Sequence, residues 1–525
     1  MLAVDLGTGG PKVGLVSLIG EIAWSEHHAV PTETGPDGRA TQDASLWWDL
    51  IRDSARRALD SGVVPRDRVV AVSCTGQWAS TVPVDGTGGP VGPCQLWSDT
   101  RGGRHSRRMI GGPVAGFAPV ALVRWIRHSG GAPSTSGADP IGHILHLEHD
   151  EPGIARAARW YLEPVDYLSM RFTGAAVASA ASMAGAWLTD NRVADPLEYD
   201  RALVAAAGVP ADKLPPLRPT ASRIATVLPE VAADLGLPAG VVVIAGTPDL
   251  HSACVGSGAV LALQPHVAIS TTSWVSCPFP RKKTDAVRQL ATVPGILPGL
   301  RLVANNQESA GRAFEWLRDL LDADGGGGGG GGGGDDGEGG TGRSTSFDEL
   351  TALAATAEPG SGRLVFTPWL AGERSPVDDR RARAGFHNLS LRTTRAELVR
   401  SVLEGVALNS RWLARATERF VGQPLGTFRA VGGGARSDLW CSIFADVLGR
   451  PVEQVADPVL ANLRGAALIA GMSLGAVDPG ELRHLVPVAA TNRPDPDAAA
   501  VYDQLAAEFP KLDRAQRGTF ARLAR

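Results

Sequence analysis

Cysteine is scarce and scattered. The 525-residue chain has five, Cys74, Cys94, Cys254, Cys277 and Cys441. An odd number with no Cys-x-x-Cys pair suits reduced thiols buried as small hydrophobes better than a disulfide framework or a thiolate zinc site. An excess of one charge is also lacking. Lys and Arg total 51 against 55 Asp and Glu, so no strong field gathers nucleic acid or an anionic membrane. The basic clusters Arg104–Arg108 and Arg380–Arg383 are short and read as solvated surface. Long apolar runs are missing, because Gly, Pro or charge interrupts each before membrane-spanning length. No basic and apolar leader precedes Leu2, so no secretory signal is expected. The expectation is a cytoplasmic protein with neither membrane nor nucleic acid as partner.

What is present suffices for large cores: 44% of residues are hydrophobic, and the length suggests two or three domains. Leu2–Leu6, the turn Gly7–Gly10 and Lys12–Leu18 read as a strand, a turn and a second strand, with Glu21–Trp24 returning after Gly20. Apolar side chains at helical spacing over residues 45–60 predict a helix. Val69–Ser73 reads as a buried strand ending at Gly76. A second series starts at Val241–Ala245, ends at Gly246–Asp249, and continues with His266–Ser270 before Thr271. Two halves that each deliver polar residues from strands to turns predict a duplicated α/β architecture with a cleft between them. The expected division is 1–244, 245–480 and a C-terminal extension, 481–525, whose helix covers 498–509. Ten consecutive glycines, 325–334, predict a disordered insert over 324–345 after a helix at 314–321, since glycine buries no apolar surface and loses most entropy on ordering.

Three segments carry candidate chemistry. In Asp5-Leu6-Gly7-Thr8-Gly9-Gly10-Pro11-Lys12, glycines allow backbone N–H groups to approach phosphate, Thr8 adds a hydroxyl, and Lys12 adds a mobile charge. Asp5 ends a buried strand, where it suits a magnesium ion held through water; a plain Gly-turn hairpin fits the segment equally well. Gly432-Gly433-Gly434 precedes Ser437 and Asp438, which open a helical pattern, so the turn offers free N–H groups and a favourable dipole. Ser437 or Asp438 also suits a simple N-cap. Asp249 ends the 241–245 strand as a candidate general base for a hydroxyl nucleophile, or as the N-cap of the next helix. His143, His146 and His149 lack a metal-binding spacing and are set aside.

Together these segments resemble the FGGY family of carbohydrate kinases, most closely its xylulokinase branch. The resemblance covers nearly the whole chain apart from the Gly insert and the tail. Thr41-Gln42-Asp43 with Trp47-Trp48, Leu96–Arg101, Val165–Gly174, Thr271–Val275, Pro368–Pro376 and Gly432–Pro451 follow the family's motifs in order. It implies two actin/Hsp70-like (ribonuclease H-like) domains around a central nucleotide and sugar cleft. It also implies ATP with Mg²⁺ as donor and a ketose or polyol hydroxyl as acceptor, with a homodimer as the candidate assembly. By the same resemblance Asp249 is the catalytic base, and Asp5 with Asp249 organises the metal. Thr8, Lys12, Thr271, Gly311, Glu315, Gly433, Gly434 and Ser437 contact the nucleotide. Gln77, Trp78 and Asp99 line the sugar pocket. Closure of the domains would keep water from the phosphoryl group.

The sugar side departs from the family. Gly76-Gln77-Trp78-Ala79-Ser80 stands where xylulokinases have a Met-His pair after Gln, and Leu250 replaces an amide after Asp249. Loss of two hydrogen-bonding groups should change which sugar fits. Ser270 replaces a glycine ahead of Thr271. The same losses motivate an alternative, a nucleotide-gated sugar-binding or regulatory protein of the actin-like superfamily without kinase activity.

Overall fold

The computed structural model describes residues 1–114, 116–323 and 345–523. The expected Gly-rich insert therefore lies almost wholly outside the described residues.

The first half is built on a six-stranded sheet. Its strands are β1 (Leu2–Gly7), β2 (Gly10–Val16), β3 (Ile22–His27), β4 (Ala71–Gly76), β5 (Arg223–Thr226) and β6 (Val242–Pro248), in the order β5-β6-β4-β1-β2-β3. β1, β4 and β6 run parallel, and the hairpin β1–β2 pairs Asp5 with Lys12. A Cβ on Gly10, at φ +127°, would fall 2.1 Å from the His28 carbonyl, so only glycine closes this turn. Helix α1 (Ala44–Asp60) covers the sheet with Trp47, Trp48 and Ile51, and the Asp43 carboxylate caps it by accepting from Ser45 N. Strand β4 starts two residues later than expected and ends at Gly76, because its pairing with β1 continues through Ser73 and Thr75 from Val72 to Gly76. The expected division at 244/245 falls inside β6, which stays paired with β4 as far as Pro248. We place the junction after Pro248. Helix α2 (Pro164–Thr173) packs against β6, and helix α3 (Asp249–Ser257) follows it.

The second half repeats the plan. Strands β7 (His266–Ile269), β8 (Ser273–Ser276), β9 (Phe428–Val431), β10 (Val452–Val455) and β11 (Val488–Asn492) form a sheet in the order β8-β7-β9-β10-β11. Again a hairpin, β7–β8, flanks a parallel set, β7, β9 and β10. Helices α4 (Gly311–Ala323), α5 (Arg395–Val421) and α6 (Asp438–Leu448) belong to this half. The C-terminal extension contributes β11 as an edge strand of this sheet. Helix α8 (Pro496–Leu523), longer than the predicted 498–509, buries Tyr502, Phe509 and Phe520 and runs through Pro510. Its Tyr502 hydroxyl donates to Glu404 of α5 at 2.7 Å.

Two helices join the halves. Helix α7 (Ala461–Ser473) packs on β1, β2 and β4, and α3 lies across it. A Cβ on Gly256 would fall 1.8 Å from the Ala461 carbonyl, and one on Gly465 would fall 1.9 Å from that of Ser252. Glycine at both positions lets the two backbones touch at the junction.

Candidate active site

Parallel pairing brings three strand ends into line: Asp5 lies opposite Thr75, and Pro248 opposite Gly76. Asp5 is buried. Its Oδ2 accepts from Lys12 Nζ at 3.1 Å and its Oδ1 from Asn462 Nδ2 of α7 at 3.3 Å. Asp249 is half-buried as the first residue of α3, with Pro248 in the cap position, and its Oδ1 accepts from Leu250 N at 2.8 Å. The N-cap alternative for Asp249 therefore does not hold. Burial and then the neighbouring Asp5 charge push the Asp249 carboxyl up to about 7, against smaller opposing effects of the Leu250 amide and Lys12. Such a carboxyl can take a proton from a hydroxyl near neutral pH. The Thr75 hydroxyl donates to the Thr247 carbonyl at 2.8 Å and meets Ser252 Oγ at 2.7 Å, fixing the strand end that presents Asp249.

Thr8 is held from the first half: its Oγ1 accepts from Trp97 Nε1 at 3.1 Å and its carbonyl from Gln42 Nε2 at 2.8 Å. On the second half, the Ser270–Thr271 turn ends β7. Gly311 N donates to the Ser270 carbonyl at 2.6 Å, and Ala310 N donates to that of Thr271 at 3.0 Å, so α4 begins against this turn. Gly432, at φ +93°, packs on the same turn, where its Cβ would come within 2.5 Å of Ser270 Oγ. Gly433 is exposed, with open space where a Cβ would stand. The structure thus brings Thr271, Gly311 and the Gly432–Gly434 turn together. Glu315 is exposed one turn into α4. Ser437 caps α6, its Oγ accepting from Trp440 N at 3.2 Å, which leaves its hydroxyl hydrogen free to donate. The Ser270 substitution is accommodated by the Gly432 contact.

On the sugar side, Gln77 follows β4, its N donating to the Leu6 carbonyl at 2.8 Å, and its Oε1 is buried without a partner. Trp78 is half-buried, and its Nε1 donates to the Ser182 carbonyl at 2.7 Å. Ala79 holds φ +60°. Asp99 corrects an expectation. It has no exposed surface, and its oxygens accept from Ala40 N and from the Arg101 amide and guanidinium. Burial pushes the Asp99 carboxyl up, but the Arg101 guanidinium and these amides outweigh it and hold the group below the usual range. Asp99 positions Arg101 rather than offering a free oxygen to a sugar. The set-aside histidines have protein partners: His143 meets Thr81 Oγ1 at 3.2 Å and His146 meets Asp150 at 2.9 Å, while His149 stacks on His105.

Sequence reasoning missed Asn462, Arg374 and Glu163 as site residues. Arg374 lies over the Trp97 ring, 5.8 Å from its centroid, and its Nε donates to Glu308 at 2.9 Å. This contact spans the two halves beside Thr8. Glu163, the N-cap residue of α2, is buried against the Ser80 amide at 3.2 Å, with Oε1 unpartnered.

A duplicated α/β fold with a glycine-rich turn in each half and an aspartate following a strand end defines a phosphotransferase of the actin-like class. The comparisons agree. Residues 1–256 match the N-terminal domain and residues 269–474 the C-terminal domain of the FGGY family of carbohydrate kinases. The chain belongs to this family and is an ATP-dependent sugar kinase. It is 25% identical over 477 residues to a xylulose kinase of Staphylococcus epidermidis, covering 90% of this chain and 88% of the relative. A gluconokinase of Bacillus subtilis is 23% identical over 541 residues, covering 100% and 97%. The crystal structure of a xylulose kinase from Rhodospirillum rubrum superposes with a TM-score of 0.80 at 26% identity, covering 99% of each chain.

Proposed function

We propose that the protein transfers the γ-phosphoryl group of Mg-ATP to a hydroxyl of a ketose or polyol of xylulose-like size, with Asp249 as general base. The carrying observation is the convergence of Asp5 and Asp249 at parallel strand ends, with Asp249 raised to about 7. Phosphoryl transfer needs positioning, charge neutralisation and a proton acceptor rather than covalent chemistry from the protein. Lys12 and Thr8 would orient phosphate oxygens from the first half. Thr271 would do so from the second, with Gly311 packed against its turn and Glu315 in the neighbourhood of the phosphates, and with Gly433, Gly434 and Ser437 along the adenosine. Gln77 and Trp78 would face the acceptor.

Asp5 and Asp249 fit a magnesium ion, since hard oxygen donors suit it and it keeps waters and phosphate oxygens as its other ligands. When bound, the ion would neutralise charge on the phosphates; the proton acceptor remains the Asp249 carboxylate. The xylulose kinase and gluconokinase relatives motivate pentuloses and sugar acids as first substrates to try. The five buried, unpaired cysteines fit the reducing cytoplasm.

An ADP-release screen over pentuloses, hexuloses, sugar acids and polyols tests this. With the best acceptor, Asp249→Asn should lower turnover by about 10²–10⁴-fold while ATP affinity holds. Unchanged turnover would remove Asp249 as the base.

A further inference from the structure

The geometry points to an acceptor that carries an apolar terminus, a deoxy carbon where an ordinary ketose has a hydroxyl, with Trp78 and Leu250 as the specificity-determining residues. This rests on the kinase reading above and deepens it. Because Gly76 pairs with Pro248, the segments leaving β4 and β6, Gln77-Trp78 and Asp249-Leu250, run side by side. On that reading, the residues next to the base would meet the acceptor's neighbouring carbons.

Their polar atoms are already committed. The Trp78 indole N–H, the ring's one donor, is taken by the Ser182 carbonyl at 2.7 Å. The ring meets His251 edge-on at 6.2 Å, and His251 Nε2 pairs with the Pro294 carbonyl at 2.7 Å. The other ring nitrogen of His251 is buried without a partner, and burial pushes that imidazole down to about 4, so it stays neutral. Leu250 belongs to an apolar cluster with Ala184, Cys254, Val293 and Leu302, against which Trp78 packs. Gly185 leaves room for this arrangement, since a Cβ there would lie 3.2 Å from the Trp78 Nε1 and 3.2 Å from the Ala79 Cβ. What remains for hydrogen bonding around this wall is Gln77 Oε1 and the unpartnered ring nitrogen of His251, both buried.

The Trp78 ring and the Leu250 side chain accept a methyl or methylene and themselves offer an added hydroxyl no partner. An apolar pocket rejects such a hydroxyl only moderately, by about 10- to 100-fold. Gln77 would accept a hydrogen bond from one hydroxyl and Asp249 from the one phosphorylated, so the acceptor keeps its polyol portion and loses a terminal oxygen.

The test is an ADP-release assay on the full chain with matched ketoses, 1-deoxy-D-xylulose against D-xylulose and 1-deoxy-D-fructose against D-fructose. The expected result is a kcat/KM about 10- to 100-fold higher for the deoxy member of at least one pair. Leu250→Asn, which restores an amide beside the base, should narrow that ratio through a lower KM for the hydroxylated member. A wild-type ratio at or below one in both pairs overturns the inference while leaving a sugar kinase in place. No ADP release with any acceptor, while ATP still binds, overturns the kinase reading and the inference with it.

Discussion

Lys12 Nζ lies 3.1 Å from Asp5 Oδ2, and the pair sits at the strand end that faces Asp249. The ammonium pairs with one carboxylate, and the charge of Asp5 raises the next. Asp249 owes its position near 7 first to burial and then to Asp5. Replacing Asp5 by Asn removes the repulsion, so the Asp249 carboxyl should ionise at lower pH. A base acts when deprotonated, so the acid limb of kcat/KM against pH, which reports the free enzyme, should shift to lower pH in Asp5→Asn even as turnover drops. An unshifted limb would show that the limb belongs to another group.

Much of this site was legible because its chemistry is local. A glycine turn between two apolar strands announces itself, and so do Asp5, Thr8 and Lys12 within eight residues. The Gly432–Gly434 turn ahead of a helical pattern is equally readable. The contacts that tune the site were not, because they join residues remote in sequence. Asn462 reaches Asp5 across 457 positions, and the Ser182 carbonyl that silences the Trp78 N–H belongs to a segment with no motif. β11 was invisible for another reason: as an exposed edge strand it carries no alternation of buried and exposed residues. Asp99 misled because its motif gives its place and says nothing about Arg101 occupying its oxygens.

The nucleotide turn separates two glycines that look alike in sequence. Gly432 holds φ +93° and would drive a Cβ to 2.5 Å from Ser270 Oγ and 2.7 Å from the Ile269 carbonyl. Gly432→Ala should therefore destabilise the protein by about 1–3 kcal/mol, combining backbone strain with a clash. Gly433 faces open space, and Gly433→Ala should melt within about 0.5 kcal/mol of the wild type. If adenosine lies along Gly433, the added methyl should still weaken ATP binding several-fold. Thermal melts and ATP titrations on the two variants separate structure from contact; equal melting temperatures would contradict the packing described for Gly432.

Glu163 yields a prediction whose sign follows from its surroundings. Burial and then the neighbouring Asp166 push its carboxyl well above the ordinary range, against the Ser80 and Ala79 amides. The folded protein thus holds a proton that the unfolded chain releases near the usual value of about 4.3. A group raised on folding contributes stability that is fully present below the unfolded value and lost as pH rises towards the folded one. Glu163→Gln keeps the shape and removes the titration. Denaturation midpoints of the two proteins should therefore be similar at pH near 4 and diverge above it, with the variant the more stable at pH 8. Comparing variant with wild type at each pH cancels the other titrating groups, among them buried His143 and His266, whose depressed values act in the opposite direction. Midpoints that stay parallel across the range would mean that Glu163 is charged in the folded protein, and that a partner for Oε1 forms in solution.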